Sequence, residues 1–379
     1  MGITGRMTGF KATTKSARIR RLALVAGTAA YVAIVFVFVL PGIASYGGVW
    51  TAIQRLTWPW IVALAVATVL NVATFAPPWM VVLPGLGYMR ALSMTQVSTA
   101  FSLVVPGGAP VGMAASFAAL RSWGFGGRSV GLAVTLTGIW NQLSVFVFPV
   151  VAVGLLAVEG GVSRNLALVA VAGVLLFAGV MAAVAAVLSR PRLAFRAGEF
   201  AARIVALLNR ARRKPAPGWG GEVLVRFRAD TLELLRRRWI SLTVATLANQ
   251  LTGYLMLEFS VRSVGISQSQ VSVAECFAAW SVGRLLVSLP LTPGGIGVVE
   301  LGLTGTLIGF GGPHASVVAG VLIYRALSIF PPLLLGLLAI ATWRRQAPQL
   351  APLDPSSQPP PAVGTKVGHR VEQRFDVLP

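Results

Sequence analysis

The stretch Leu289–Gly302, LPLTPGGIGVVELG, interrupts a sequence that is apolar on both sides, yet it holds two prolines, three glycines within four residues and a carboxylate. Pro290 and Pro293 stop an incoming helix, and Gly294, Gly295 and Gly297 let the backbone turn and approach a ligand closely. A second half-helix is expected to begin near Ile296. Its unpaired N–H groups and positive dipole end face the break, an arrangement that suits an anionic group such as phosphate. Pro106, Gly107 and Gly108 repeat the pattern earlier in the chain.

The surrounding composition fixes the solvent. Of 379 residues, 55% are hydrophobic and 11% charged, the mean hydropathy is +0.76, and several apolar runs are long enough to cross a bilayer. The fold class is therefore an all-α polytopic membrane protein. The net charge of +21 falls mainly between and outside the apolar runs, where membrane orientation accounts for it, and no nucleic-acid-binding module is recognisable. One cysteine, Cys276, excludes an internal disulfide. His314 and His369 have no partner at metal-ligand spacing, so neither metal nor cofactor is expected.

Full spans are expected at Leu22–Leu40, Trp58–Ala76, Val130–Val158, Leu166–Leu188, Trp239–Val261 and Ala315–Trp343. Two further apolar regions, Leu92–Leu120 and Val271–Phe310, are broken in the middle. Lys11, Lys15, Arg18, Arg20 and Arg21 place residues 1–21 in the cytoplasm. The run after them is too long for a signal-peptide core, so it reads as a retained span. The segment Arg190–Arg238 carries thirteen Arg or Lys against Glu199, Glu222, Asp230 and Glu233, so it too is expected inside.

These positions, together with Arg121, Arg128, Arg344 and Arg345, all stay cytoplasmic if each broken region enters and leaves on one side as a re-entrant helical hairpin. Such backbone is tolerated at membrane depth only where protein or a water-filled cavity covers it. Ordinary kinked spans, with a long loop exempt from the charge rule, remain the alternative. Within the basic segment, Leu193, Phe200, Ile204, Leu207 and Leu208 recur at helical spacing among arginines, as in an interfacial helix or a solvated linker helix. Residues 346–379 are Pro-rich and expected to be a disordered cytoplasmic tail.

The broken regions resemble each other. VVPGGAPVGMAASFAALRSWGFGG (104–127) aligns with LTPGGIGVVELGLTGTLIGFGG (291–312), PGG on PGG and GFGG on GFGG, with Ala109 and Pro110 as an insertion. This makes repeat one about 58–158 and repeat two about 239–343 within a 22–345 transmembrane domain. By the charge count the two are inverted, the architecture of many secondary transporters. In this alignment Ala115 takes the place of Glu300 and Trp140 that of Arg325.

Charge clusters around the second copy. A hairpin about Pro290–Gly295 sets Arg284 opposite Glu300, so these two are expected to pair; Arg325 and Glu258 lie in other spans, and Glu275 near one. An unpaired charge at the bilayer centre costs about 2.5–3.5 kcal/mol even on insertion scales, so such residues usually face a cavity or one another. The pair reads equally as a lock on the hairpin. The candidate substrate-binding set is Pro293, Gly294, Gly295, Gly297, Glu300, Arg284, Arg325, Pro106, Gly107 and Gly108, with Glu300 and Glu258 as candidates for proton coupling.

PLTPGGIGVVELG, followed by Tyr324–Arg325 and PPLLLG at 331–336, resembles the lysylphosphatidylglycerol synthase transmembrane family, the flippase-like membrane proteins. The resemblance extends over most of 22–343. It implies a bacterial cell membrane and a role in moving lipids or lipid-linked head groups between leaflets. Some members also carry a soluble aminoacyl-transferase domain; none is expected here, since only the tail follows the last span. The first copy departs from the family's more charged form, with Ala114 and Ala115 where polar or acidic residues are expected.

The leading expectation is therefore translocation of an anionic phospholipid or polyprenyl-phosphate-linked head group. Two alternatives remain. One is a scaffold that recruits cytoplasmic lipid- or envelope-synthesis proteins through the basic segment and tail. The other is a membrane transferase, for which no Asp in a span and no nucleotide loop speaks.

Overall fold

The computed structural model describes residues 46–54, 56–104, 108–160, 175, 178, 179, 181–183, 185–211, 220–288 and 292–346. All of its regular structure is helical: α1 Tyr46–Gln54, α2 Trp58–Ala73, α3 Pro77–Val82, α4 Tyr88–Val104, α5 Gly108–Ser122, α6 Gly127–Val158, α7 Pro191–Ala211, α8 Gly221–Ser263, α9 Val273–Ser288, α10 Val298–Gly309 and α11 His314–Gln346, with one 3-10 turn at Pro293–Gly295. The chain up to Ile340 forms one compact unit and Ala341–Pro379 a second, of which only the end of α11 is described. The expected span Leu22–Leu40, most of Leu166–Leu188, Pro106, Gly107, the N-terminal segment and the tail lie outside the described residues.

Four described segments are long and apolar enough to cross a membrane: Trp58–Val82, Gly127–Val158, Gly221–Ser263 and His314–Ala341. They contain three of the four expected spans that fall among described residues and cover the fourth, Ala315–Trp343, up to Ala341. In each, only 28% of the most apolar window is buried inside the protein. Trp58, Val66 and Val69 on α2, and Phe330, Leu334 and Leu338 on α11, stay exposed, as helices solvated by lipid do.

Both broken regions are pairs of short helices. α9 and α10, of 16 and 12 residues, extend about 24 and 18 Å, less than the ~30 Å hydrocarbon core. They run antiparallel, since Gly283 abuts Leu303 and Gly302 abuts Leu286. In the first pair, Gly112 of α5 lies against Ser98 and Ser102 of α4. Each pair leads into a long helix with proline inside it, Pro149 in α6 and Pro331 with Pro332 in α11. The half-helix expected from Ile296 starts at Val298.

Most of the basic segment expected as a loop is helix. α7 is one amphipathic helix, and α8 begins well before Trp239. Nothing in Gly221–Arg238 breaks a helix after its first residue, and Leu, Arg and Glu dominate it. Glu199 of α7 accepts from the Gly221 N–H at 2.8 Å, placing a carboxylate on the positive end of α8. Arg228 donates to the Leu188 and Ser189 carbonyls, and Arg128 grips Asp230 through two bonds of 2.7 and 2.6 Å.

The best-packed core surrounds the second hairpin. Trp280 (1% exposed) meets Phe148, Tyr254 and Phe277 in edge and tilted contacts with centroids 4.8–5.8 Å apart. Leu257, Val261, Leu303, Leu307 and Val318 pack around it.

Candidate functional site at the broken helices

The break before α10 takes its shape from backbone that only glycine adopts easily: Gly294, Gly295 and Gly297 have φ of 61°, 66° and 87°. Thr292 Oγ1 donates to the Ile296 carbonyl at 2.9 Å and the Gly295 N–H to the Thr292 carbonyl at 3.0 Å, closing the turn on itself.

Glu300 and Arg325 lock that turn. Glu300 Oε2 accepts from the Gly297 N–H at 2.7 Å, and Oε1 accepts from Arg325 Nε at 2.8 Å. Arg325 Nη2 then donates to the Gly294 carbonyl at 2.9 Å. Their side chains are 2% and 9% exposed. The positive end of α10 thus receives an internal anion, and one buried ion pair ties α11 to both sides of the break.

This corrects the expected Arg284–Glu300 pair. A helix places side chains by rotation as well as depth, and only depth was counted. Arg284 has no hydrogen-bond or ion-pair partner among the described residues; its Nε is buried and unbonded. It follows Gly283, which abuts Leu303 one turn beyond Glu300. The structure therefore brings Gly294, Gly297, Glu300 and Arg325 into direct contact and leaves Arg284 nearby as an uncompensated cation.

Glu258 is engaged elsewhere. Its Oε1 accepts from Arg262 Nε at 2.9 Å and its Oε2 from the Tyr254 hydroxyl at 3.2 Å, while Arg262 also donates to the Ile266 and Val271 carbonyls. Glu275 and Ser272 exchange hydrogen bonds of 2.7 and 3.1 Å at the start of α9, a capping box.

The two breaks meet. A Cβ on Gly294 would lie 2.6 Å from Leu103 Cδ2 and 3.6 Å from Leu103 Cα, so the second turn rests on the last described turn of α4. Gly108 opens α5 immediately beyond that point.

The helix ends align the two hairpins in a register different from that of the sequence match. Each hairpin closes at a left-handed glycine, Gly124 (φ 87°) and Gly311 (φ 107°). The following residue bonds back across the same turn in both, Phe125 to Leu120 and Gly312 to Leu307. Gly124 is the eighteenth residue after Pro106 and Gly311 the eighteenth after Pro293, which leaves no insertion between them. Counted this way, Met113 corresponds to Glu300 and Gly138 to Arg325, in place of Ala115 and Trp140.

Sequence reasoning missed a belt of neutral polar side chains. Asn71 Nδ2 donates to the Asn249 carbonyl and to Thr252, Asn249 Nδ2 donates to Thr74, and Gln250 Nε2 donates to Asn141 Oδ1 at 2.6 Å. The signal was present, because amides inside lipid-spanning helices are as informative as charges.

Apolar lipid-facing helices around buried ionic groups define a multi-pass, all-helical membrane protein. The chain belongs to the family of the lysylphosphatidylglycerol synthase TM region, whose model matches residues 21–336. The family places it among membrane proteins of lipid modification or translocation. Comparison with curated proteins gives no match.

Proposed function

We propose that the protein moves a lipid bearing an anionic, phosphate-containing head group between the leaflets of the cell membrane. The observation that carries this is Arg284, a cation without a counter-anion among the described residues, on a short apolar helix. The neighbouring arginine of this site is paired: Arg325 holds Glu300 and Gly294. An uncompensated arginine at membrane depth is costly unless water or an incoming anion reaches it. A phosphate diester supplies that anion, and arginine binds it through two parallel bonds.

The two hairpins act as inverted elements whose tips meet at Leu103 and Gly294, and movement of one helical half against the other exposes Arg284 to each leaflet in turn. Family membership supports a lipid as cargo.

The test is leaflet transfer of fluorescent phosphatidylglycerol in reconstituted vesicles. Arg284→Gln is expected to lower the rate at least tenfold while leaving the unfolding midpoint unchanged or raised, since the guanidinium makes no protein bond to lose. Wild-type transfer no faster than protein-free vesicles defeats the proposal. The inverted arrangement is tested separately: with Cys276 replaced, a cysteine at Arg121 labels from the cytoplasm and one at Pro313 from outside.

A further inference from the structure

A half-open cleft of about 210 Å³ lies beside the first hairpin, between α3, α4, α5, α6 and α8. Its polar wall includes Ser116, Thr137, Asn141 and Asn249, and Phe75 and Trp79 form an aromatic wall. No charged side chain is among the described residues that line it. Ser116 is 1% exposed, and its hydroxyl has no hydrogen-bond partner. Buried hydroxyls are rarely left unbonded, so this one points to something that enters the cleft.

The cleft occupies the place that the Glu300–Arg325 lock fills in the second half. Met113 and Gly138, which correspond to Glu300 and Arg325 in the register set by the helix ends, both line it. A Cβ at Gly138 would meet nothing within 4 Å. An arginine in one half is thus matched by open space in the other. The two sites share a helix: Ser98 lines the cleft and Leu103 touches Gly294, five residues or about 7.5 Å apart along α4.

Hydroxyl and amide groups facing an aromatic wall suit a ligand with several hydroxyls and an apolar ring or chain face. We propose that the cleft binds the uncharged polyhydroxyl part, a sugar or a glycerol, of the lipid whose phosphate Arg284 receives, and that it selects against cationic aminoacyl head groups. This rests on the transport reading above. The selection follows from the carboxylates: Glu300 and Glu258 are held by arginines, and no carboxylate is among the described residues that line the cleft, so an ammonium seated there gains no counter-anion.

The experiment measures equilibrium binding to the full-length protein in detergent, with polyprenyl phosphate, polyprenyl-phosphate glucose, phosphatidic acid, phosphatidylglycerol and lysyl-phosphatidylglycerol as probes. Two net hydrogen bonds give about a tenfold gain. Tenfold tighter binding of polyprenyl-phosphate glucose than of polyprenyl phosphate identifies a sugar; the same gain of phosphatidylglycerol over phosphatidic acid identifies a glycerol. Ser116→Ala, which breaks no bond in the protein, is expected to reduce the gain about threefold, and Gly138→Leu, which fills open space, to abolish it.

Absence of both gains, gains that survive Gly138→Leu, or tighter binding of lysyl-phosphatidylglycerol than of phosphatidylglycerol each overturn the inference. Polyprenyl phosphate alone reports on Arg284. If Arg284→Gln abolishes its binding and no hydroxyl gain exists, the transport reading survives and the cleft does not. If the gain exists and Arg284→Gln changes nothing, the cleft survives and the phosphate site does not. Failure of every probe to bind overturns both.

Discussion

The two hairpins share a backbone plan and differ in what holds their tips. In the second, Glu300 and Arg325 fasten the turn at Gly297 and Gly294, and the hairpin sits against the Trp280 aromatic core. In the first, the corresponding positions are Met113 and Gly138, which leave a neutral cleft; Phe101, Met113 and Phe117 remain partly exposed at 37%, 46% and 40%. Fold similarity therefore does not carry chemical similarity. One hairpin tip is a locked, charged anchor beside an arginine with no partner among the described residues; beside the other hairpin lies an open cleft with no charged side chain in its described lining. Under the proposed transport function that division favours release, since a head group caged by paired charges in both halves would leave slowly.

Breaking the lock gives the largest expected effect. Glu300→Ala strands Arg325 in a site only 9% exposed, which costs about 3–5 kcal/mol, read from chemical unfolding in detergent. The double change Glu300→Gln with Arg325→Met removes both charges at similar volume and is expected to recover most of that loss. Single variants as stable as wild type would show that the halves do not differ in this way.

Glycine sharpens the comparison next. Gly294→Ala forces a side chain into left-handed backbone against Leu103, at about 1–3 kcal/mol. Gly131→Ala, in the second turn of α6 with nothing within 4 Å, is expected to stabilise by about 0.5–1 kcal/mol. The same substitution thus carries opposite signs, and equal signs in the two unfolding midpoints would contradict the strain assigned to the break. A smaller loss is expected for Trp140→Phe, which removes one 3.0 Å bond to Thr243 at about 1 kcal/mol.

Much of this was legible in the residues. Hydropathy located the described spans, and paired prolines and glycines located both breaks, because few residues can end a helix and turn the chain within four positions. Which arginine meets Glu300 was not legible. Arg284 and Arg325 lie in different helices, and the choice depends on how α9, α10 and α11 are rotated about their axes. The helix-end register differs from the sequence match for a related reason: GFGG matched GFGG in sequence, but the left-handed residue is the first glycine of one copy, Gly124, and the second of the other, Gly311. The cleft escaped notice because it is marked by a missing side chain at Gly138, and an absence has no signature in composition. α7 was legible as an amphipathic helix, but its seating on α8 through Glu199 was not.

The smallest effect concerns a second Arg–carboxylate contact of nearly the same geometry. Arg128 holds Asp230 at 2.6 and 2.7 Å, as tightly as Arg325 holds Glu300 at 2.8 Å. The difference is water. Arg128 is 71% exposed and Asp230 23%, so each is hydrated when the other is removed, and no buried charge is left behind. Arg128→Ala is therefore expected to leave the unfolding midpoint indistinguishable from wild type at physiological ionic strength. Any loss that does appear should fade as salt is raised, because exposed charges are screened, whereas the Glu300→Ala loss should be nearly insensitive to salt. Equal, salt-independent losses in the two variants would mean that bond geometry rather than burial sets the strength of the lock, and the contrast between the charged and neutral halves would lose its physical basis.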